Sequence, residues 1–101
     1  MYAKENLKKL PKLSHLAKTA TDTFWAYDQA AFAEGVIPKK YKELMGIAVA
    51  LATQCPYCIE VHKKAAVKAG ATEEELAETI HVAAAIRAGG AITHGTHLLS
   101  E

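Results

Sequence analysis

Gln54, Cys55 and Pro56 form the sharpest break in the sequence, and the residues on both sides of it are helix-forming. Upstream, a helix is expected from Lys39 to Thr53. Its second half, "LMGIAVALA" (residues 44–52), is apolar on every side, so that helix should be buried, in part against another subunit. Downstream, Pro56 suits the first position of a helix that runs to Ala69, with Gly70 closing it. Two helices joined by so short a link fold back as an antiparallel hairpin. Positions equidistant from the turn then face each other. Glu43 and His62 are such a pair, since the point midway between them falls within one helical turn of the break.

The rest of the chain is also helical in character, and alternating β-branched runs are missing. An apolar stripe at helical spacing runs through Leu13, Leu16, Ala17, Ala20, Phe24, Tyr27 and Ala31, as one long helix or as two with Thr21 and Asp22 capping the second. "EGVIP" should end it, with Gly35 past the helix end and Pro38 opening the next helix. Thr72 and Glu75 in "TEEE" form a capping box for a helix that turns Leu76, Ile80 and Ala83 inward. Gly89 and Gly90 are expected to interrupt it before a short last helix with Ile92, Leu98 and Leu99. The expected class is all-α: a single domain over residues 1–101, with about five to six helices around a central antiparallel hairpin.

The hairpin turn carries the chemistry. Cys55 and Cys58 are the only cysteines, and His62 follows Cys58 by four residues. With Cys55 as N-cap and Pro56 at the first position, both sulfurs lie in the first helical turn, where the helix dipole and free N–H groups favour a thiolate over the free thiol of pKa about 8.5. Cysteines so spaced can also reach disulfide geometry. His62 shares their face and can take or give a proton, and Glu43, carried across by the hairpin, would be partly desolvated beside it. Taken singly, each residue has an ordinary explanation: a packed cysteine, a solvated histidine, a glutamate at a helix start. Their coincidence favours a redox site. Zinc is the competing assignment, with Cys55, Cys58 and His62 as three ligands and His81, His94 or His97 as a fourth. A second well-spaced ligand pair is lacking, so those histidines are expected to be structural or solvent-facing, with no metal and no cofactor bound.

A net charge of +1 gives no reason to expect a nucleic-acid partner, and the N-terminal lysines fit a solvated helix face. The apolar run at residues 44–52 is too short to span a bilayer. No secretory leader is visible, so the expected address is the cytoplasm, where a two-cysteine framework is more often catalytic or metal-binding than a structural staple.

The stretch "KELMGIAVALATQCPYCIEVHKKAAVKAGATEEELAETI", extended more weakly by "AIRAGGAITHG", resembles the alkylhydroperoxidase AhpD-like proteins of the carboxymuconolactone decarboxylase superfamily. The family pattern is a glutamate, eleven residues, C-x-x-C, three residues and a histidine, and Glu43, Cys55, Cys58 and His62 all fit it. The resemblance implies an all-helical homo-oligomer, trimer or hexamer, with thiol-dependent peroxidase activity. It implies that Cys58 attacks the hydroperoxide, that Cys55 resolves the sulfenic acid as a disulfide, and that His62 and Glu43 form the proton relay. It also implies a dithiol reductant, a lipoyl-bearing or thioredoxin-like protein. Exposure at the N-cap would favour Cys55 as first nucleophile. Cys58 is preferred because a peroxide needs a proton on its leaving oxygen, and only Cys58 has a histidine at i+4. One position departs from the pattern: peroxidase members often carry a histidine before the second cysteine, and here that residue is Tyr57. The alternative in another class is a non-enzymatic oligomeric switch that uses the same cysteines for redox or metal sensing.

Overall fold

The computed structural model describes residues 2–101 as a set of helices, with no strand among them. A 3-10 helix over Lys4–Lys9 leads into α1 (Leu10–Leu16), followed by α2 (Lys18–Phe32), α3 (Lys39–Thr53), α4 (Pro56–Lys68) and α5 (Glu73–His94), with a closing 3-10 turn over Gly95–Leu98. The α3–α4 pair is the predicted hairpin; α5 packs on α3, and α1 packs on α2.

Both ends of α4 are fixed by the same backbone device. After α3, Gln54 takes a left-handed conformation (φ 57°), and Cys55 N–H reaches back to the Ala50 carbonyl at 2.9 Å. After α4, Gly70 has φ 99° and Ala71 N–H reaches the Ala66 carbonyl at 2.9 Å. These Schellman-type closures satisfy carbonyls that a helix end leaves open, and they reverse the chain within two residues. Glycine suits the second position; at the first, a glutamine holds a conformation that L residues seldom adopt. The capping box at α5 is present in full: Thr72 Oγ1 accepts from Glu75 N–H at 3.1 Å, and Glu75 Oε1 accepts from Thr72 N–H at 2.9 Å. Glu75 also pairs with Lys40 at 2.9 Å, and this contact, ahead of the Thr72 backbone, holds its carboxyl below the usual range. Arg87 donates to the Ala52 carbonyl at 3.2 Å, tying α5 to the open end of α3.

Three local expectations are corrected. α5 continues through Gly89 and Gly90 to His94 without the predicted interruption. No Cβ is needed to pack there, because the space around both glycines is open, and neither adopts a positive φ. The N-terminal stripe does break into two helices, but at Ala17; Thr21 sits buried inside α2, and Asp22 pairs with Lys18 and Ser14 without capping. The α2–α3 turn does not use Gly35 in a left-handed conformation. Instead Glu34 accepts from Lys39 N–H at 3.0 Å and Lys42 Nζ donates to the Ala33 carbonyl at 2.8 Å.

The core is thin. Among the described residues, Ile47, Ala50, Ala66 and Ala83 are the buried apolar ones; Ile80, expected to face inward, is 53% exposed, and Ile86, Ile92, Leu98 and Leu99 lie at least 72% exposed. The radius of gyration is 16.9 Å, against about 13 Å for a compact chain of this length. The exposed surface is 7897 Å², against about 5,600 Å² expected for a folded monomer of this mass. No helix of the described residues is long and apolar enough to cross a membrane.

Candidate active site

Glu43 is 2% exposed in a chain that leaves most of its large apolar side chains open. Its burial therefore reflects its particular place in the hairpin and not general depth. A buried carboxylate needs partners at both oxygens. Oε1 lies 2.7 Å from His62 Nδ1, and Oε2 accepts from Lys39 Nζ at 3.0 Å. Lys39 also donates to the Phe32 carbonyl at 3.1 Å, which anchors the pair to the end of α2. In the tautomer with hydrogen on Nδ1, the imidazole donates to the Glu43 carboxylate and Nε2 is left for proton exchange.

The imidazole is held from its face as well. The Phe32 ring stacks on His62 at 4.5 Å between centroids, tilted by 24°. The close approach of α2 to α3 beneath that stack depends on Gly46. A Cβ there would lie 3.0 Å from Phe32 Cε1, 3.1 Å from Phe32 Cζ and 3.5 Å from His62 Cγ. Gly46→Val is expected to push Phe32 off the imidazole and destabilise the protein by about 1–3 kcal/mol, as overpacking does. Chemical denaturation checks the stability loss. Wild-type stability in that variant would mean the ring moves aside at no cost.

Cys55 is the N-cap of α4, and its Sγ accepts from Cys58 N–H at 3.3 Å. Pro56 occupies the first turn, where its missing N–H leaves no helical bond unmade. The two cysteines are joined as a disulfide, their Cα atoms 5.3 Å apart. Cys58 and His62 together line two open cavities. One, about 500 Å³, lies on the side of Phe32, Met45, Gly46 and Val49. The other, about 560 Å³, is walled by Leu7, Leu10, Phe24 and Trp25.

Of the four residues singled out in the sequence, the hairpin thus pairs Glu43 with His62 and Cys55 with Cys58, and Cys58 and His62 line the same two cavities. Three supporting residues did not stand out. Lys39 precedes Glu43 by four residues, a pairing signal visible in sequence. Gly46, inside an apolar helix, hints at a close approach without naming the partner. Phe32 gives no local signal. His81, His94 and His97 are exposed, the last two packed edge to face at 4.9 Å. Among the described residues, no group of three or more histidine, cysteine or acidic side chains could hold a metal ion.

The geometry can be set beside known proteins. The sequence profile of the carboxymuconolactone decarboxylase family matches residues 18–101, which include the whole hairpin and its four residues. The chain belongs to the carboxymuconolactone decarboxylase family. Uncharacterized protein 4 of the cox locus of Paracoccus denitrificans is 43% identical over 90% of this chain and 82% of its own length. An uncharacterized protein of Cupriavidus necator is 31% identical over 69% of this chain and 62% of its own. The crystal structure of an apo carboxymuconolactone decarboxylase family protein from Legionella pneumophila superposes with TM-score 0.78 at 38% identity, over 82% of this chain and 74% of that one. A protein from Methanobacterium thermoautotrophicum superposes with TM-score 0.73 at 35% identity, over 79% of this chain and 92% of that one. The carboxymuconolactone decarboxylase fold is therefore the all-helical architecture described above, and within it this chain carries a C-x-x-C pair at disulfide distance, as AhpD-like proteins do.

Proposed function

We propose that this protein is a thiol-dependent peroxidase that reduces hydroperoxides through Cys58 and Cys55. The reading rests above all on one observation: a buried Glu43 carboxylate 2.7 Å from the imidazole that shares two cavities with Cys58. In the proposed cycle His62 Nε2 takes the Cys58 thiol proton, and the resulting thiolate attacks one peroxide oxygen as the O–O bond breaks. The sulfur becomes a sulfenic acid, and the departing alkoxide takes a proton from His62 Nε2. Glu43 holds Nδ1–H and stabilises the imidazolium that precedes this transfer. The Cys55 thiol then displaces hydroxide from the sulfenic sulfur, forming the disulfide and, with a proton, water. An external dithiol returns both sulfurs to the reduced state and is itself oxidised to a disulfide. A lipoyl-bearing or thioredoxin-like protein is the proposed reductant.

Self-association belongs to the same proposal. An exposed surface well above that of a compact monomer, with apolar side chains along α5, fits a chain whose faces are covered by further copies, as a trimer or hexamer.

The test is stoichiometric. Hydroperoxide added to the reduced protein should consume two thiols per chain and leave an intrachain disulfide. Dihydrolipoamide, thioredoxin and glutathione offered in turn should identify a reductant that sustains turnover. Thiols that survive excess peroxide would sink the reading. So would stoichiometric zinc that blocks their titration, which would favour a metal-responsive switch.

A further inference from the structure

Tyr57 stands between the two cysteines, and its hydroxyl is turned to a different task from proton transfer at sulfur. It accepts from Ala3 N–H at 2.9 Å and from Asn6 Nδ2 at 2.8 Å, both from the N-terminal segment. Its ring meets Tyr2 at 4.7 Å. One turn further along α4, Glu60 pairs with Lys4 at 3.0 Å. Among the described residues, the first turns of α4 therefore clasp residues 2–6 through two hydrogen bonds, a ring contact and an ion pair. The residues that follow, Leu7 and Leu10, line the 560 Å³ cavity together with Phe24, Trp25, Cys58 and His62.

We propose that residues 2–10 form a strap that sets the size of molecule able to reach Cys58 from this side, and that Tyr57 is its latch and so a specificity-determining residue. This rests on the reading of Cys58 as the reactive sulfur. The phenol suits the role because one oxygen accepts two donors from a neighbouring segment while its ring lies against Tyr2. Phenylalanine would keep the ring and lose both bonds, so Tyr57→Phe opens the latch without emptying the space. Asn6→Ala removes one of the two bonds from the other side. Lys4→Glu sets two carboxylates against each other, and Lys4→Glu with Glu60→Lys restores an opposite-charge pair.

The experiment measures alkylation of Cys58 in the full-length protein on a Cys55→Ser background, with iodoacetamide as the small probe and fluorescein maleimide as the bulky one. Tyr57→Phe should raise the bulky-to-small rate ratio about tenfold, as expected for loss of two hydrogen bonds. Asn6→Ala and Lys4→Glu should raise it less, and the charge-swapped pair should bring it back. The iodoacetamide rate reports the thiol itself and should stay near that of the parent, which separates an opened strap from a damaged site. A ratio unchanged in Tyr57→Phe overturns the strap. If the ratio rises while the unmodified protein consumes no peroxide, the strap stands and the peroxidase reading falls.

Discussion

Cys58→Ser should abolish peroxide consumption, lowering the rate by at least about a thousandfold, because the proposed attacking sulfur is removed and a serine hydroxyl in its place is a far poorer nucleophile toward a peroxide oxygen. Cys55→Ser should behave differently. It keeps Cys58 next to His62, so the first equivalent of peroxide is consumed, and the reaction stops at a sulfenic acid with no partner to condense with. A rapid-mixing experiment tells the two apart: no fast phase for Cys58→Ser, and a single-turnover burst without steady state for Cys55→Ser. A dimedone-type trap should label Cys58 in the second variant. The opposite pattern, with the burst in Cys58→Ser, would assign the first attack to the N-cap cysteine.

Glu43→Gln should carry the next largest effect, a fall in the peroxide reaction of about a hundredfold, within the range that general acid–base groups contribute. The amide has nearly the volume of the carboxylate, so packing is kept. What changes is charge. Glutamine can still accept from His62 Nδ1–H, but its NH2 group then faces Lys39 Nζ, a donor against a donor. The imidazolium of the proposed cycle also loses its counter-charge. Lys39 is 44% exposed at its side chain and can turn to water, so the loss of stability should be only about 1–2 kcal/mol. Rate and unfolding curves measured together distinguish the two effects. A Glu43→Gln protein that reacts at the parental rate would remove the acid from the relay.

Much of this site was legible because it is local. Cys55 as N-cap, Pro56 in the first turn and His62 one turn on are consequences of helix geometry alone, and all are present. Glu43 required one longer step, folding the chain at Gln54, and that step holds because the closure there lays α4 back along α3. The remainder depends on how separate helices lean on one another. Nothing near Phe32 in sequence tells that its ring covers His62, since the course of the chain from Phe32 to Lys39 is set by Glu34 and Lys42 side chains bonding to the backbone. Tyr57 was legible as a departure from a histidine, but not as an anchor for residues more than fifty positions earlier. Gly89 and Gly90 misled for a simple reason: a glycine lowers helix stability by about 1 kcal/mol without forbidding the helix.

Gly46 has a wider implication for how this sequence can drift. The hydrogen in place of a methyl there is what lets an aromatic ring from one helix lie over the imidazole of another. Positions 32 and 46 are thus not independent sites of variation: a larger residue at 46 becomes tolerable only once the ring at 32 has shrunk, and a smaller residue at 32 uncovers the histidine whatever stands at 46. Substitutions at the two positions should therefore be energetically coupled, because each decides what room the other has.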